Sequence, residues 1–123
     1  KKKHKFRKKK KDVIIEPIKV KHGKINSILY KINNSCAYVS DVSEIYKKDL
    51  HRLKNLNYLI VDCLRYKPHP SHFNLDDVLK LIELIKPKKT ILTNMNNEID
   101  YLKIQKFLPR NVIPAYDGLQ FSI

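Results

Sequence analysis

The sequence contains few of the residues that characterise several protein classes. It has no Trp, one Met, two Gly and two Cys in 123 residues. Two cysteines without a C-x-x-C pair exclude a disulfide-rich scaffold and a zinc ribbon. No apolar run approaches the roughly 20 residues of a membrane-spanning helix, and no apolar segment follows the basic start as in a signal peptide. These absences predict a cytoplasmic protein without a membrane partner, in which Cys36 and Cys63 stay reduced and buried.

Acidic residues are absent from the first eleven positions. Nine of the 26 basic residues fall there, and they contribute most of the net charge of +14. A block of one charge repels itself, so residues 1–11 are predicted to be a disordered basic tail and residues 12–123 a single domain. Such a tail can neutralise nucleic-acid phosphates, which gives an alternative function. The segment has no regular interleaving of aromatic residues for base stacking, and this favours a solvated tail.

Hydrophobic periodicity predicts alternating strands and helices over the rest of the chain. Strands are predicted over residues 12–22, 25–32, 36–41, 56–64 and 89–94, with two more inside 112–123. Helices are predicted over 43–55, from Leu75 to the stop at Pro87, and over 98–108. The middle helix is the clearest, because Asn74 is a good N-cap and acidic residues follow it in the first turn. The order predicts an α/β fold with a sheet backed by helices on one side.

Five polar residues lie at or just past predicted strand ends: His22, Asp41, Asp62, His72 and Asn94. Loops at one edge of an α/β sheet are where functional residues gather. Imidazole and carboxylate together suit Zn, Mn or Fe. Considered alone, each residue can also have a purely structural role, such as a turn at His22 or a helix cap at Asp41. His69, between two prolines, is interpreted as structural.

Five ordered motifs resemble the metallo-β-lactamase-fold hydrolases. They are VKHGKINSILYKI, AYVSDVSEI, LIVDCLRYKPHPSHFNLDDVLKLIE, TILTNMNNEIDY and AYDGLQF. Within these hydrolases, the motifs most resemble the phosphodiesterase branch that cleaves phosphoribosyl cyclic phosphate. The resemblance implies an αββα sandwich, of which this chain supplies the C-terminal half.

The resemblance also implies roles for the residues at the strand ends. His22 and Asp41 match metal ligands of a centre that holds two Zn or Mn ions. His72 matches the catalytic histidine near the scissile phosphate, acting as general acid or as a clamp on a phosphate oxygen. Asp62 would orient a ligand or loop.

Two departures from the family pattern limit the implied chemistry. The H-x-H-x-D-H metal motif has no counterpart here, and LTNM stands where the family has LTHM, so that Asn94 replaces a histidine ligand. The resemblance therefore implies a truncated, metal-dependent, phosphodiesterase-like hydrolase that is inactive or weak alone. The apolar sheet face left without its cover predicts a homodimer or a complementary N-terminal half as partner.

Overall fold

The computed structural model describes residues 3–8 and 11–123, with the side chains of residues 6–8 and 11 left out of the description. Its elements are β1 His4–Lys8, β2 Lys11–His22, β3 Ile25–Ile32, β4 Cys36–Val39, a 3-10 helix Lys47–Leu53, β5 Tyr58–Asp62, α1 Leu75–Ile85, β6 Lys89–Thr93, α2 Tyr101–Ile104 and β7 Val112–Pro114. All seven strands join one sheet in sequence order. None of the helices in this part of the chain is long and apolar enough to cross a bilayer.

The sheet changes from antiparallel to parallel at β4. Strands β1 to β4 pair antiparallel, and β4 to β7 pair parallel. Each parallel step contains a helical segment. Because such crossovers are right-handed and the strands advance in one direction, the three helical segments lie on the same side of the sheet. The predicted α/β sheet backed by helices on one side is confirmed.

The hydrophobic core lies between that side of the sheet and the helices. Strand residues in the core cluster alternate along each strand, as Ile18 and Val20 do in β2 and Leu59 and Val61 do in β5. The helices contribute Leu53, Val78, Leu81, Ile85 and Ile104. Fully burying one such aliphatic side chain stabilises the fold by about 1.5–3 kcal/mol before entropy is counted.

The opposite side, here called the open sheet face, carries the alternate strand residues and includes an exposed apolar patch. Ile28, Tyr30 and Tyr38 are 43%, 44% and 41% exposed. A shallow depression of about 390 Å³ on this face is lined by His4, Ile15, Tyr30, Ile32 and Tyr38. Toward β5, Phe121 stacks on Tyr58 with ring centroids 4.4 Å apart, so the C-terminal segment covers part of the face.

Some predicted elements differ from the observed ones. The predicted helix over 43–55 is a 3-10 helix over Lys47–Leu53, and the predicted helix over 98–108 has α-helical geometry only at Tyr101–Ile104. The Asp100 side chain accepts from Lys103 N and starts α2 later than predicted, and the residues after Ile104 form turns with three-residue spacing. Tyr101, the first residue of α2, is exposed although the amphipathic pattern of residues 98–108 predicts that it faces inward. Only one strand, β7, forms within 112–123.

The basic segment also differs from its prediction over residues 4–8. Instead of a disordered tail, His4–Lys8 form strand β1, which pairs antiparallel with β2. The repulsion among its lysines is reduced by partners in β2, since Lys5 Nζ lies 2.8 Å from Asp12 Oδ2. Residues 1–2 and 9–10 lie outside the described residues, so the prediction stays untested there.

Candidate functional site

The polar residues predicted at strand ends meet at one edge of the sheet. His22 is the last residue of β2, Asp62 is the last residue of β5, and Asn94 follows β6 directly. Asp41 lies two residues after β4. Strand β2 runs in the same direction as the parallel strands because two antiparallel pairings separate it from β4. The chain direction therefore brings these residues together before any side chain is considered.

The loop between β5 and α1 folds over the turn after β2. Gly23 has a φ of 64°, and a Cβ at this position would lie 2.6 Å from Ser71 Oγ. The left-handed backbone therefore favours glycine at position 23, and a side chain there would also displace the Ser71 hydroxyl. His22 Nδ1 donates to the Ser71 carbonyl over 2.6 Å. This bond leaves the lone pair of the neutral His22 ring on Nε2.

Asp62 is a fully buried carboxylate at the centre of the site. Its Oδ2 accepts from Val42 N at 3.1 Å and from His72 Nδ1 at 2.6 Å, and its Oδ1 accepts from Asn94 Nδ2 at 3.2 Å. A buried negative charge is tolerated only with such compensation. The three donors come from three separate segments, so the carboxylate ties the loops of the site together.

His72 lies between the buried carboxylate and the other histidine rings. Its side chain is 17% exposed, and its ring centroid is 4.7 Å from that of His22 and 5.2 Å from that of His69. Since Nδ1 is held by Asp62, Nε2 is the nitrogen available to a ligand or substrate.

Asp41 is the exposed member of the group, with 51% of its side chain accessible. Its Oδ1 accepts from Ser40 Oγ at 3.2 Å and from Asn94 Nδ2 at 3.3 Å, and it lies 3.9 Å from His72 Nδ1. The four predicted site residues, His22, Asp41, Asp62 and His72, are thus neighbours. Their assignment as metal ligands and catalytic groups stays a prediction.

The donor set fits a divalent cation only in part. Ligand atoms of Asp41, Asp62 and His72 lie within 4.8 Å of one another. However, both oxygens of Asp62 already accept hydrogen bonds, and one of them holds His72 Nδ1. The groups left with free lone pairs are His22 Nε2, Nε2 of the neutral His72 ring and the Asp41 carboxylate. When His72 serves as an acid instead, its Nε2 carries a proton and two ligands remain, fewer than the three that a catalytic zinc usually takes from protein.

Two features of the site were not foreseen from the sequence. The backbone carbonyl of Ser71 accepts a hydrogen bond from His22, and no pattern of side chains in the sequence predicts a contact to a backbone group. Asn94 was interpreted only as a lost ligand, whereas its amide donates to both carboxylates. His69 Nδ1 accepts from Ser71 N at 3.1 Å, which agrees with its interpretation as structural. Desolvation, followed by the nearby Arg65, lowers the pKa of His69.

Both cysteines are buried and unpaired, as predicted. Burial raises the pKa of the Cys36 thiol to about 11, and burial together with the Asp62 charge raises the pKa of the Cys63 thiol to about 12. Because the thiolate is the nucleophile, neither side chain is suited to covalent catalysis.

No protein-family model matches the chain. One curated protein, named octanoyltransferase, from Porphyromonas gingivalis, is 29% identical over 117 residues, which cover 91% of this chain and 23% of that protein. Among solved structures, a diphosphatase from the PhnP family superposes with a TM-score of 0.86 at 32% identity, covering 90% of this chain and 44% of its own.

Two further solved structures have the same fold at lower identity. The metallo-β-lactamase fold protein YhfI from Bacillus subtilis gives a TM-score of 0.72 at 16% identity, covering 87% of this chain and 48% of its own. Zinc-bound PqqB from Methylobacterium extorquens gives a TM-score of 0.68 at 12% identity, and the match covers 90% of this chain and 50% of PqqB. The chain therefore has the metallo-β-lactamase fold and spans about half of it, an extent consistent with the C-terminal half that the sequence motifs predicted.

Proposed function

We propose that this chain forms one half of a metal-dependent hydrolase site for phosphodiesters, with His72 as its acid and weak activity at most by itself. The observation that carries the proposal is the 2.6 Å contact between His72 Nδ1 and the buried Asp62 carboxylate, beside His22. A carboxylate behind an imidazole fixes the ring and stabilises its protonated form. The similarity to a diphosphatase supports phosphorus as the reacting centre.

Some residues of the chain would bind the cation, and others would transfer a proton to the substrate. Asp62 holds Nδ1 of His72 and thereby leaves Nε2 for the substrate. In its protonated form His72 donates from Nε2 to a phosphate oxygen, either clamping it or protonating the leaving group. His22 and Asp41 would hold the cation, with the Ser71 carbonyl fixing the tautomer of His22 as backbone partners do for metal-binding histidines. When bound, a Zn or Mn ion supplies the positive charge that activates water and polarises the phosphoryl group.

We propose that the open sheet face packs against a second apolar sheet, supplied by a second copy of this chain or by a complementary N-terminal half. The chain spans less than half of the diphosphatase that it resembles. Exposed Ile28, Tyr30 and Tyr38 give the face the character of an interface. Two free buried thiols support the predicted cytoplasmic location.

Two other functions have less support. The name octanoyltransferase belongs to a protein of which the match covers 23%, and neither buried cysteine is suited to carry an acyl group. Binding of nucleic acid through residues 1–11, the alternative from the sequence, gains no support from the comparisons or from the strand geometry of His4–Lys8.

The test is a calorimetric titration of the chain with MnCl₂ and ZnCl₂, followed by hydrolysis of bis(p-nitrophenyl) phosphate with each ion present. We expect cation binding that His22→Ala or Asp41→Ala abolishes. Any diester hydrolysis should fall about 100-fold in His72→Ala, because general acid catalysis contributes roughly 10²–10⁴-fold.

His51→Ala is the matched control, since His51 is an exposed histidine on the 3-10 helix. It should leave both cation binding and hydrolysis unchanged. A chain that binds neither ion, or a His72→Ala variant that hydrolyses the diester at the wild-type rate, would overturn the proposed function.

A further inference from the structure

Two carboxylates meet at the edge of the sheet, and one neutral side chain reaches both. The ligand oxygens of Asp41 and Asp62 belong to a group within 4.8 Å. Carboxylates this close repel unless a cation or a hydrogen-bond donor lies between them. His72 Nδ1 donates to Asp62 but lies 3.9 Å from Asp41 Oδ1, beyond hydrogen-bond distance.

Asn94 fills that position. Its Nδ2 lies 3.3 Å from Asp41 Oδ1 and 3.2 Å from Asp62 Oδ1. An amide nitrogen carries two hydrogens, which is one for each carboxylate. We propose that the Asn94 amide takes the place of a cation between Asp41 and Asp62, and that it thereby prevents a divalent ion from bridging these two carboxylates.

The carboxylates would otherwise attract such an ion. Asp62 lies at the buried end of the group and Asp41 at its exposed end, so a cation entering from solvent meets Asp41 first. Hard and borderline cations such as Mn²⁺ prefer these oxygen ligands. To bind Asp62 as well, the ion must displace the amide from both carboxylates. Asn94 therefore lowers the affinity for a cation that bridges the pair.

The backbone gives a competing reason for asparagine at this position. Asn94 has a φ of 55°, in the left-handed region that asparagine tolerates better than most residues. Asn55 has a similar backbone conformation, with a φ of 61°, and is exposed in the turn between the 3-10 helix and β5, outside the site loops. Asparagine at position 94 is therefore explained either by the left-handed backbone or by the amide between the carboxylates. Asn55 shares only the backbone conformation, so a substitution at Asn55 serves as the control that separates these two explanations.

Replacing Asn94 by Asp is the sharpest test, because it keeps the side-chain shape and exchanges two donors for a third carboxylate. The full chain would be compared as wild type, Asn94→Asp and Asn55→Asp, by thermal melting in EDTA and in saturating MnCl₂ and by calorimetric titration with MnCl₂. We expect Asn94→Asp to melt several degrees below wild type in EDTA and to regain that difference with Mn²⁺. Its affinity for Mn²⁺ should exceed that of wild type at least tenfold, whereas Asn55→Asp should match wild type.

Equal Mn²⁺ affinity in wild type and Asn94→Asp would overturn the inference, as would a lowered melting temperature that Mn²⁺ leaves unchanged. Asn94→Gly is the second variant, because glycine accepts the left-handed backbone and only removes the amide. If Asn94→Asp folds only with Mn²⁺, the inference is supported. If it folds under neither condition and Asn94→Gly binds Mn²⁺ no more tightly than wild type, the inference fails. The inference rests on the hydrogen bonds of Asn94, so a gain in Mn²⁺ affinity supports it whether or not any diester is hydrolysed.

Discussion

At the scale of single residues, the charged side chains of this protein act through the partners that surround them. The fold tolerates the buried Asp62 carboxylate because three donors bind it. It tolerates the mostly buried Glu16 carboxylate because Arg52 pairs with it. Arg52 Nη2 lies 2.5 Å from Glu16 Oε2, and its Nη1 lies 3.0 Å from Asp49 Oδ1. This ion network joins β2 to the 3-10 helix, so it connects the sheet with the layer that covers it.

The Glu16–Arg52 pair predicts a dependence of stability on pH. Burial alone raises the pKa of Glu16, but the hydrogen bond and charge of Arg52 outweigh it, so the pKa lies below its usual range. A depressed carboxyl pKa stabilises the fold above the unfolded value of about 4.3, and this contribution is lost as the pH falls through the folded value. Glu16→Gln should reduce the free energy of unfolding at pH 7 by about 1–2 kcal/mol.

Urea denaturation at a series of pH values measures this effect. The difference between wild type and Glu16→Gln should be constant above about pH 5 and shrink at lower pH. Glu44→Gln is the control, because it breaks an exposed pair with Lys21 and such pairs contribute little. A difference between wild type and Glu16→Gln that is the same at pH 3 and pH 7 would contradict the prediction.

At the scale of elements, α1 fixes the loop that carries His72. Asn74 caps the helix in a capping box with Asp77: Asn74 Oδ1 accepts from Asp77 N at 2.9 Å, and Asn74 N donates to Asp77 Oδ2 at 3.1 Å. The same side chain donates from Nδ2 to the Tyr66 carbonyl at 3.1 Å. One buried residue therefore starts the helix and holds the beginning of the loop.

Removing this cap should destabilise the protein. Asn74→Ala is expected to cost about 1–2 kcal/mol in the free energy of unfolding, from the loss of the N-cap bond. Asn74→Asp keeps the cap but faces the Tyr66 carbonyl with a buried carboxylate oxygen instead of a donor, so it should also cost stability. Asp100→Ala, which removes the cap of the four-residue helix α2, is the comparison and should cost less than Asn74→Ala. Equal midpoints of urea denaturation for Asn74→Ala and wild type would refute this role.

At the scale of the whole molecule, the open sheet face is the feature that we expect to govern self-association. In-sequence strand order and right-handed crossovers place every helical segment on one side, so the chain's own helices cannot cover the other side. Phe121 on Tyr58 covers only the part nearest β5. The face around Tyr30 and Tyr38 stays exposed.

A charge placed on this face should reduce self-association. Tyr38→Lys puts an ammonium group where the proposed sheet-to-sheet contact is made, so the proposed homodimer is expected to shift to monomer. Light scattering coupled to size-exclusion chromatography measures this shift. Leu102→Lys is the control, since Leu102 is 72% exposed on α2, on the helical side. A wild-type chain that is monomeric and melts sharply would count against a homodimer.

The amino-acid sequence by itself determined strands β2 to β7, the clearest helix and the identities of the site residues. Periodicity placed β3 at Ile25–Ile32 and α1 after Asn74, because both segments have a strong pattern and, for α1, a cap. Periodicity overestimated the length of α2. The observed helix has four residues and buries one side chain, and the residues after it form turns. Short elements depend on tertiary contacts more than on pattern.

Only the tertiary structure decided what the site residues do to one another. Strand direction can be inferred from the chain, and it brings His22, Asp41, Asp62 and Asn94 to one edge. Hydrogen bonds between residues 32 and 53 positions apart, from Asn94 to the two carboxylates, have no local signal. The Ser71 carbonyl that orients His22 is a backbone group, which any residue type could provide. Sequence therefore identified the side chains, whereas their protons and partners were set by packing.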